Sequence, residues 1–114
     1  MEVLLGGFGP TEDATKDTQW LCDLVKSDVE KKTGKDYQEY KAVKYRNEIV
    51  LHFVTGTSIL IKVHVGGEDY IHLEIYRALL PHIGMVPHTN VKDNQTIDSP
   101  LQPFQKLIPE PVSP

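Results

Sequence analysis

The strongest constraint on the fold is an alternation of apolar and polar residues through the middle of the chain. The alternation is interrupted at 55–58 and at 66–69 by small, polar and glycine residues, which predict turns. Side chains with period two lie on one face of a strand, so the pattern predicts an antiparallel meander with strands at 41–54, 59–65 and 70–80. The apolar face consists of odd-numbered residues: Val43, Tyr45, Ile49, Leu51, Phe53, Ile59, Ile61, Val63, Val65, Ile71, Leu73 and Ile75.

The segment before these strands has the period of an amphipathic helix. Its apolar positions are Trp20, Leu21, Leu24, Val25 and Val29. Thr15 suits the N-cap position, and Gly34 can adopt the left-handed conformation that ends a helix. Since one apolar sheet face needs one cover, we expect an α+β domain in which one amphipathic helix packs on a four- to five-stranded antiparallel sheet.

The chain has 114 residues, the length of one domain. Residues 1–14 show no periodicity and contain several glycines, so they predict a flexible N-terminal arm before a domain over 15–104. A loop is predicted at 81–88, followed by a weakly signalled edge strand around Thr89–Ile97. The proline-rich residues 105–114 predict a disordered tail.

Composition excludes several classes of partner. The formal net charge of −4 and the pI of about 5.7 give no basic surface, so we expect no nucleic-acid and no membrane partner. No apolar stretch approaches the core of a signal peptide or the ~20 residues of a membrane helix. Cys22 is the only cysteine, so an internal disulfide is impossible, which is typical of a reducing compartment. We therefore expect a cytoplasmic protein.

Five histidines raise the question of a metal or acid–base site. His52, His64 and His72 are even-numbered, so we expect them on the solvent face of the sheet. His82 and His88 lie in the predicted second loop. None of the five has the spacing of a known zinc motif, so we predict solvated surface histidines and no metal site.

Nucleophilic catalysis is not indicated either. Cys22 lies in the middle of the predicted helix, away from a helix N-terminus or a cluster of cations that would lower its pKa. Gly66 and Gly67 precede a strand and not a helix, so they do not form a phosphate-binding loop. We therefore expect no enzyme, no catalytic residue and no cofactor.

Several motifs together resemble one known family. A helix is followed by "KAVKY", by a Val-Xaa-Gly sequence, by "TSILIKVHVGGEDYIHLEIY" and by "LPH". In this order they are similar to a stefin, the unsecreted and disulfide-free branch of the cystatins, from about Gly6 to Phe104. The resemblance implies a cystatin-like fold and reversible, tight-binding inhibition of papain-like cysteine proteases of the cathepsin type.

The resemblance also implies which residues bind the protease. The arm glycines Gly6 and Gly7 correspond to the family's N-terminal contact. The first loop corresponds to the motif Gln-Xaa-Val-Xaa-Gly, and the second to a Leu-Pro-His motif. These loop residues are His52, Phe53, Val54, Thr55 and Gly56, then Leu80, Pro81 and His82. Arm and loops together would occlude the active-site cleft.

The sequence departs from the stefin pattern before the first loop. His52 replaces the motif's glutamine, and the segment is longer by about four residues, an even number that keeps the strand phase. An alternative alignment places Glu48, Ile49 and Val50 on the motif; we prefer 52–56, which keeps the valine–glycine spacing.

The alternative function is a stefin-like protein-binding or self-associating module with weak or lost inhibition. We expect a monomer, with a domain-swapped dimer as the alternative.

Overall fold

The computed structural model describes residues 7–48, 56–78 and 88–104, in which two helices pack on a five-stranded sheet. The strands pair antiparallel with their sequence neighbours, in the order β1-β2-β3-β4-β5. The elements are β1 Glu12–Asp13, α1 Lys16–Leu24, α2 Lys26–Thr33, β2 Lys41–Asn47, β3 Gly56–His64, β4 Tyr70–Ala78 and β5 His88–Gln95. The predicted α+β class is confirmed.

The helical segment begins and ends where the sequence predicts, but it is not one helix. Thr15 and Thr18 form a reciprocal capping box at the start. Gly34 has a φ of 75° at the end, a conformation that glycine adopts without a Cβ clash. Val25 has φ −102° and ψ 5°, so it separates α1 from α2. Neither helix is long and apolar enough to cross a membrane.

The face that the helices bury differs from the prediction. The core residues are Leu21, Cys22, Val25 and Val29. Trp20 is 63% exposed and Leu24 is 49% exposed, so their assignment to the core was wrong. At 3.6 residues per turn the four buried positions lie within about 100° of the helix circumference, and Trp20 and Leu24 lie outside this arc.

The odd-numbered core positions of β3 and β4 are confirmed as buried: Ile59, Ile61, Val63, Ile71, Leu73 and Ile75. In β2 the phase is different. The register shifts between Ala42 and Lys44, so Ala42 is a core residue in place of Val43. This bulge inserts an extra residue that alternation alone does not reveal. Ile49, Leu51 and Phe53 lie outside the described residues.

The second face of the sheet was predicted to be open to solvent, and this was wrong for its centre. Leu60 is fully buried there, and His72 is 2% exposed. The C-terminal segment, defined here as residues 96–104, lies across this face. Lys62 Nζ donates hydrogen bonds to the backbone oxygens of Thr96, Ile97 and Ser99, at 3.2, 2.6 and 2.8 Å.

Several boundaries differ from the sequence prediction. The strand β3 begins at Gly56, so residues 56–58 are strand and not turn. The weak edge strand is confirmed, but as His88–Gln95. Part of the predicted arm pairs with the sheet, because β1 lies beside β2 and Phe8 forms a bridge with Glu48. Residues 1–6 of the arm and the tail 105–114 lie outside the described residues.

Candidate functional site

The three predicted contact segments all meet the described part of the fold at one end of the sheet. The arm reaches the sheet at Phe8, which pairs with Glu48 at the end of β2. At the same end Gly56 of β3 pairs with Ala78 of β4. Beside them Tyr76 of β4 pairs with His88 at the start of β5. The chain before Phe8, the chain between β2 and β3 and the chain between β4 and β5 therefore leave from neighbouring points.

The arm is held to the sheet up to its first described residues. The Gly9 amide donates a hydrogen bond to the Asn47 carbonyl at 2.7 Å, and the Ala14 amide donates to the Val43 carbonyl at 3.0 Å. Gly7 is exposed and has a φ of 76°, with open space where a Cβ would lie. Any other residue would be strained in this backbone conformation, so glycine sets the direction in which the arm leaves. Gly6 lies outside the described residues.

The base of the first loop is fixed by two hydrogen bonds between β2 and β3. The Glu48 amide donates to the Ser58 carbonyl at 3.0 Å, and the Ser58 amide donates to Glu48 Oε1 at 2.8 Å. Gly56 begins β3, so it lies at the base of the loop and not at its turn. The predicted contacts His52, Phe53, Val54 and Thr55 lie outside the described residues.

The second loop leaves from the next pair of strands. The β4 strand ends at Ala78 and β5 begins at His88, so the connection between them includes the predicted Leu-Pro-His contact. Leu80, Pro81 and His82 lie outside the described residues.

The opposite end of the sheet carries a tight turn between β3 and β4. The Asp69 amide donates to the Gly66 carbonyl at 2.8 Å, and the Val65 amide donates to the Asp69 carbonyl at 3.0 Å. Gly66 and Gly67 have φ values of 115° and 55°, which this turn requires. Since the three contact segments leave from the other end, the two ends of the domain are structurally distinct.

The environment of the single cysteine makes its thiol unreactive. Cys22 is fully buried in the core, and burial, with a smaller contribution from Asp23, raises the pKa of its thiol to about 12. A thiol in this state is protonated at neutral pH and is not a nucleophile. In the described ranges no group of three or more His, Cys, Asp or Glu side chains could hold a metal ion.

Sequence reasoning missed two side chains that organise this end of the sheet. Arg46 donates three hydrogen bonds to backbone carbonyls of the arm and the C-terminal segment. Glu48 closes the base of the first loop. The sequence contains one indirect signal for a covered second face, which is the apolar Leu60 at an even-numbered position of β3.

The comparison with known families agrees with this architecture. The model of the cystatin domain matches residues 6–99. The chain belongs to the cystatin family. The matched range includes every described strand and both helices, so the family assignment covers the whole fold.

Individual relatives of this cystatin confirm the stefin resemblance. Cystatin-B of Oplegnathus fasciatus is 36% identical over 104 residues, which are 91% of this chain and 100% of that protein. Stefin-C of Bos taurus is 42% identical over 78 residues, 68% of this chain and 72% of that protein. Leukocyte cysteine proteinase inhibitor 1 of Sus scrofa is 40% identical over 81 residues, 71% of this chain and 74% of that protein.

Proposed function

We propose that this cystatin is a reversible, tight-binding inhibitor of papain-like cysteine proteases of the cathepsin type. It acts as a monomer in the cytoplasm and is not an enzyme. The arm residues Gly6 and Gly7, the first loop and the Leu-Pro-His segment of the second loop together occlude the protease cleft.

One observation carries the proposal: the three segments leave the sheet in a row at one end. From the arm at Phe8 to the start of β5 at His88 the row crosses neighbouring strands of one sheet. Four strand spacings of ~4.8 Å give a row of about 20 Å. A row of this length matches an extended substrate-binding cleft, which accommodates several residues of a peptide.

The sheet behind the row favours inhibition over cleavage. The points from which the segments leave are held in paired strands on which the helices pack, so these points lose little conformational entropy on binding. In the proposed complex the three segments fill the cleft beside the catalytic cysteine without placing a peptide bond for attack. The protease is then blocked while the inhibitor stays intact.

The relatives add support of a separate kind. One of them bears the name leukocyte cysteine proteinase inhibitor 1, and it aligns with 71% of this chain. The proposal gives this chain the activity in that name, and the row of segments gives it a structural basis.

The proposal is tested by titrating active papain with the chain and measuring residual peptidase activity. We expect stoichiometric inhibition by the parent chain. Val54→Glu should weaken binding at least about tenfold, or about 1.4 kcal/mol, because it places an unpaired carboxylate against the protease. The matched control is Ile97→Glu, since Ile97 is 61% exposed and follows the strand end at which Gln95 pairs with Tyr70, away from the row. It should change binding by less than about twofold.

Two outcomes would contradict parts of this reasoning. If Val50→Glu weakens binding more than Val54→Glu, the alternative alignment of the first loop is correct. If the folded parent chain leaves papain fully active, inhibition is not its function and the protein-binding alternative holds. Circular dichroism of every variant separates loss of binding from loss of fold.

A further inference from the structure

The side chain of Arg46 joins three separate parts of the chain at the end of the sheet that carries the contact segments. Its Nε donates to the Gly9 carbonyl at 2.8 Å, and its Nη2 donates to the Phe8 carbonyl at 3.2 Å. Its Nη1 donates to the Leu101 carbonyl at 2.7 Å. The guanidinium also lies over the Phe8 ring, with Cζ 5.8 Å from the ring centroid.

These bonds act at the point where the arm leaves the sheet. Gly9 is held on both sides, because its amide donates to the Asn47 carbonyl while its carbonyl accepts from Arg46. Gly7, with its φ of 76°, lies two residues before Gly9. The orientation of the peptide units at Phe8 and Gly9 therefore determines the direction in which the arm begins.

The third bond gives the guanidinium a fixed position. Leu101 is buried, and the C-terminal segment that contains it is held on the sheet by Lys62. Arg46 therefore links the arm to the C-terminal segment, which is itself packed on the sheet. The three bonds of Arg46 come from three different nitrogens of a planar guanidinium, whereas a lysine at this position would have to reach the same carbonyls from one nitrogen.

We infer that Arg46 is a positioning residue for protease binding, which orients the N-terminal arm toward the cleft by fixing its exit against the C-terminal segment. This inference rests on the proposed function. Fixing the exit of the arm reduces the conformational entropy that is lost when the protease binds. Arg46 therefore contributes to affinity through pre-organisation, although it does not touch the protease.

The test is a double-mutant cycle on the full chain, with papain as the protease. Arg46→Lys keeps the positive charge but removes the three separate donor nitrogens of the guanidinium. It should weaken binding about tenfold, chiefly through faster dissociation. Gly7→Val redirects the arm by itself, because a β-branched residue is strained at this φ. In the Gly7→Val background, Arg46→Lys should weaken binding less than about twofold further, since the arm is already misdirected.

The matched control is Lys44→Met. Lys44 lies on the same strand as Arg46, and its side chain is exposed. It forms an ion pair with Asp13, away from the point where the arm leaves the sheet. Its loss should change binding less than about twofold. If Arg46→Lys weakens binding by the same factor in both backgrounds, Arg46 acts on the fold in general and the inference is wrong.

A second measurement does not depend on the protease. In Arg46→Lys, hydrogen exchange of the Gly9 amide should be at least about tenfold faster, while exchange of the Leu73 amide in the sheet centre stays unchanged. Unchanged exchange at Gly9 overturns the inference. If the parent chain does not inhibit papain, the proposed function is wrong, whereas faster exchange at Gly9 still supports the anchor.

Discussion

Acidification should destabilise this protein through His72, which lies between two cations on the covered face of the sheet. His72 is paired across the strands with Lys62 of β3 and with Lys92 of β5, and it is 2% exposed. Burial and, to a smaller extent, these two lysines lower the pKa of the imidazole from 6.5 to about 4. The folded protein therefore resists protonation that the unfolded chain accepts.

The direction and size of the effect follow from this difference. Below pH 6.5 the unfolded chain binds the proton and the folded chain does not, so stability is present above this pH and is lost as the pH falls toward 4. The free energy of unfolding should fall by about 3 kcal/mol between pH 7 and pH 4 because of this residue alone.

The assay is urea unfolding at several pH values between 7 and 4, for the parent and for His72→Gln. Glutamine does not titrate, so the difference between the two curves isolates the contribution of His72 from that of the carboxylates. The control is His88→Gln, which removes a histidine that is exposed to solvent. Parallel pH dependence of the parent and His72→Gln, within about 0.5 kcal/mol, would refute the reasoning.

Three further substitutions test other parts of the structure. Cys22→Ser should lower the free energy of unfolding by about 1–2 kcal/mol in urea titrations, because it buries a hydroxyl in the apolar core, yet it should leave papain inhibition within about twofold. Gly34→Ala should cost about 1 kcal/mol, measured by the same method, because alanine is strained at a φ of 75°. Lys62→Met should cost about 2 kcal/mol, since three carbonyls lose a charged donor, whereas the exposed Lys92 changed to Met should cost less than about 0.5 kcal/mol.

The fold could be predicted from the sequence where the signals are local. Alternation gave the strands β3 and β4, and the residues Thr15 and Gly34 gave the limits of the helical segment, because caps and strand faces depend on near neighbours in the chain. The bulge beside Ala42 could not be predicted, since it adds a residue without altering the composition of the strand.

The cover on the second face was missed for a different reason. The C-terminal segment carries no periodic pattern, and it is held by two side chains, Lys62 and Arg46, that donate to its backbone carbonyls. Every residue supplies a carbonyl, so no residue type marks the acceptor in the sequence. His72 was consequently placed in solvent, although it lies in the covered centre of the face.

In the candidate site too, local features could be predicted from the sequence and long-range contacts could not. Alternation predicted the antiparallel meander, and in the structure the pairing of Phe8 with Glu48 and of Gly56 with Ala78 brings the exits of the arm and of both loops to one end of the sheet. The role of Arg46 could not be predicted, because its partners include backbone atoms of residues 38 and 55 positions away in the chain.

The exposure of Trp20 has a spectroscopic consequence. Trp20 is the only tryptophan, and the residue is 63% exposed on α1 in the folded protein. Its emission maximum should therefore already lie near that of an indole in water and should shift little when the chain unfolds. Backbone circular dichroism at the helical wavelengths should therefore follow unfolding of this domain more clearly than the tryptophan emission maximum does.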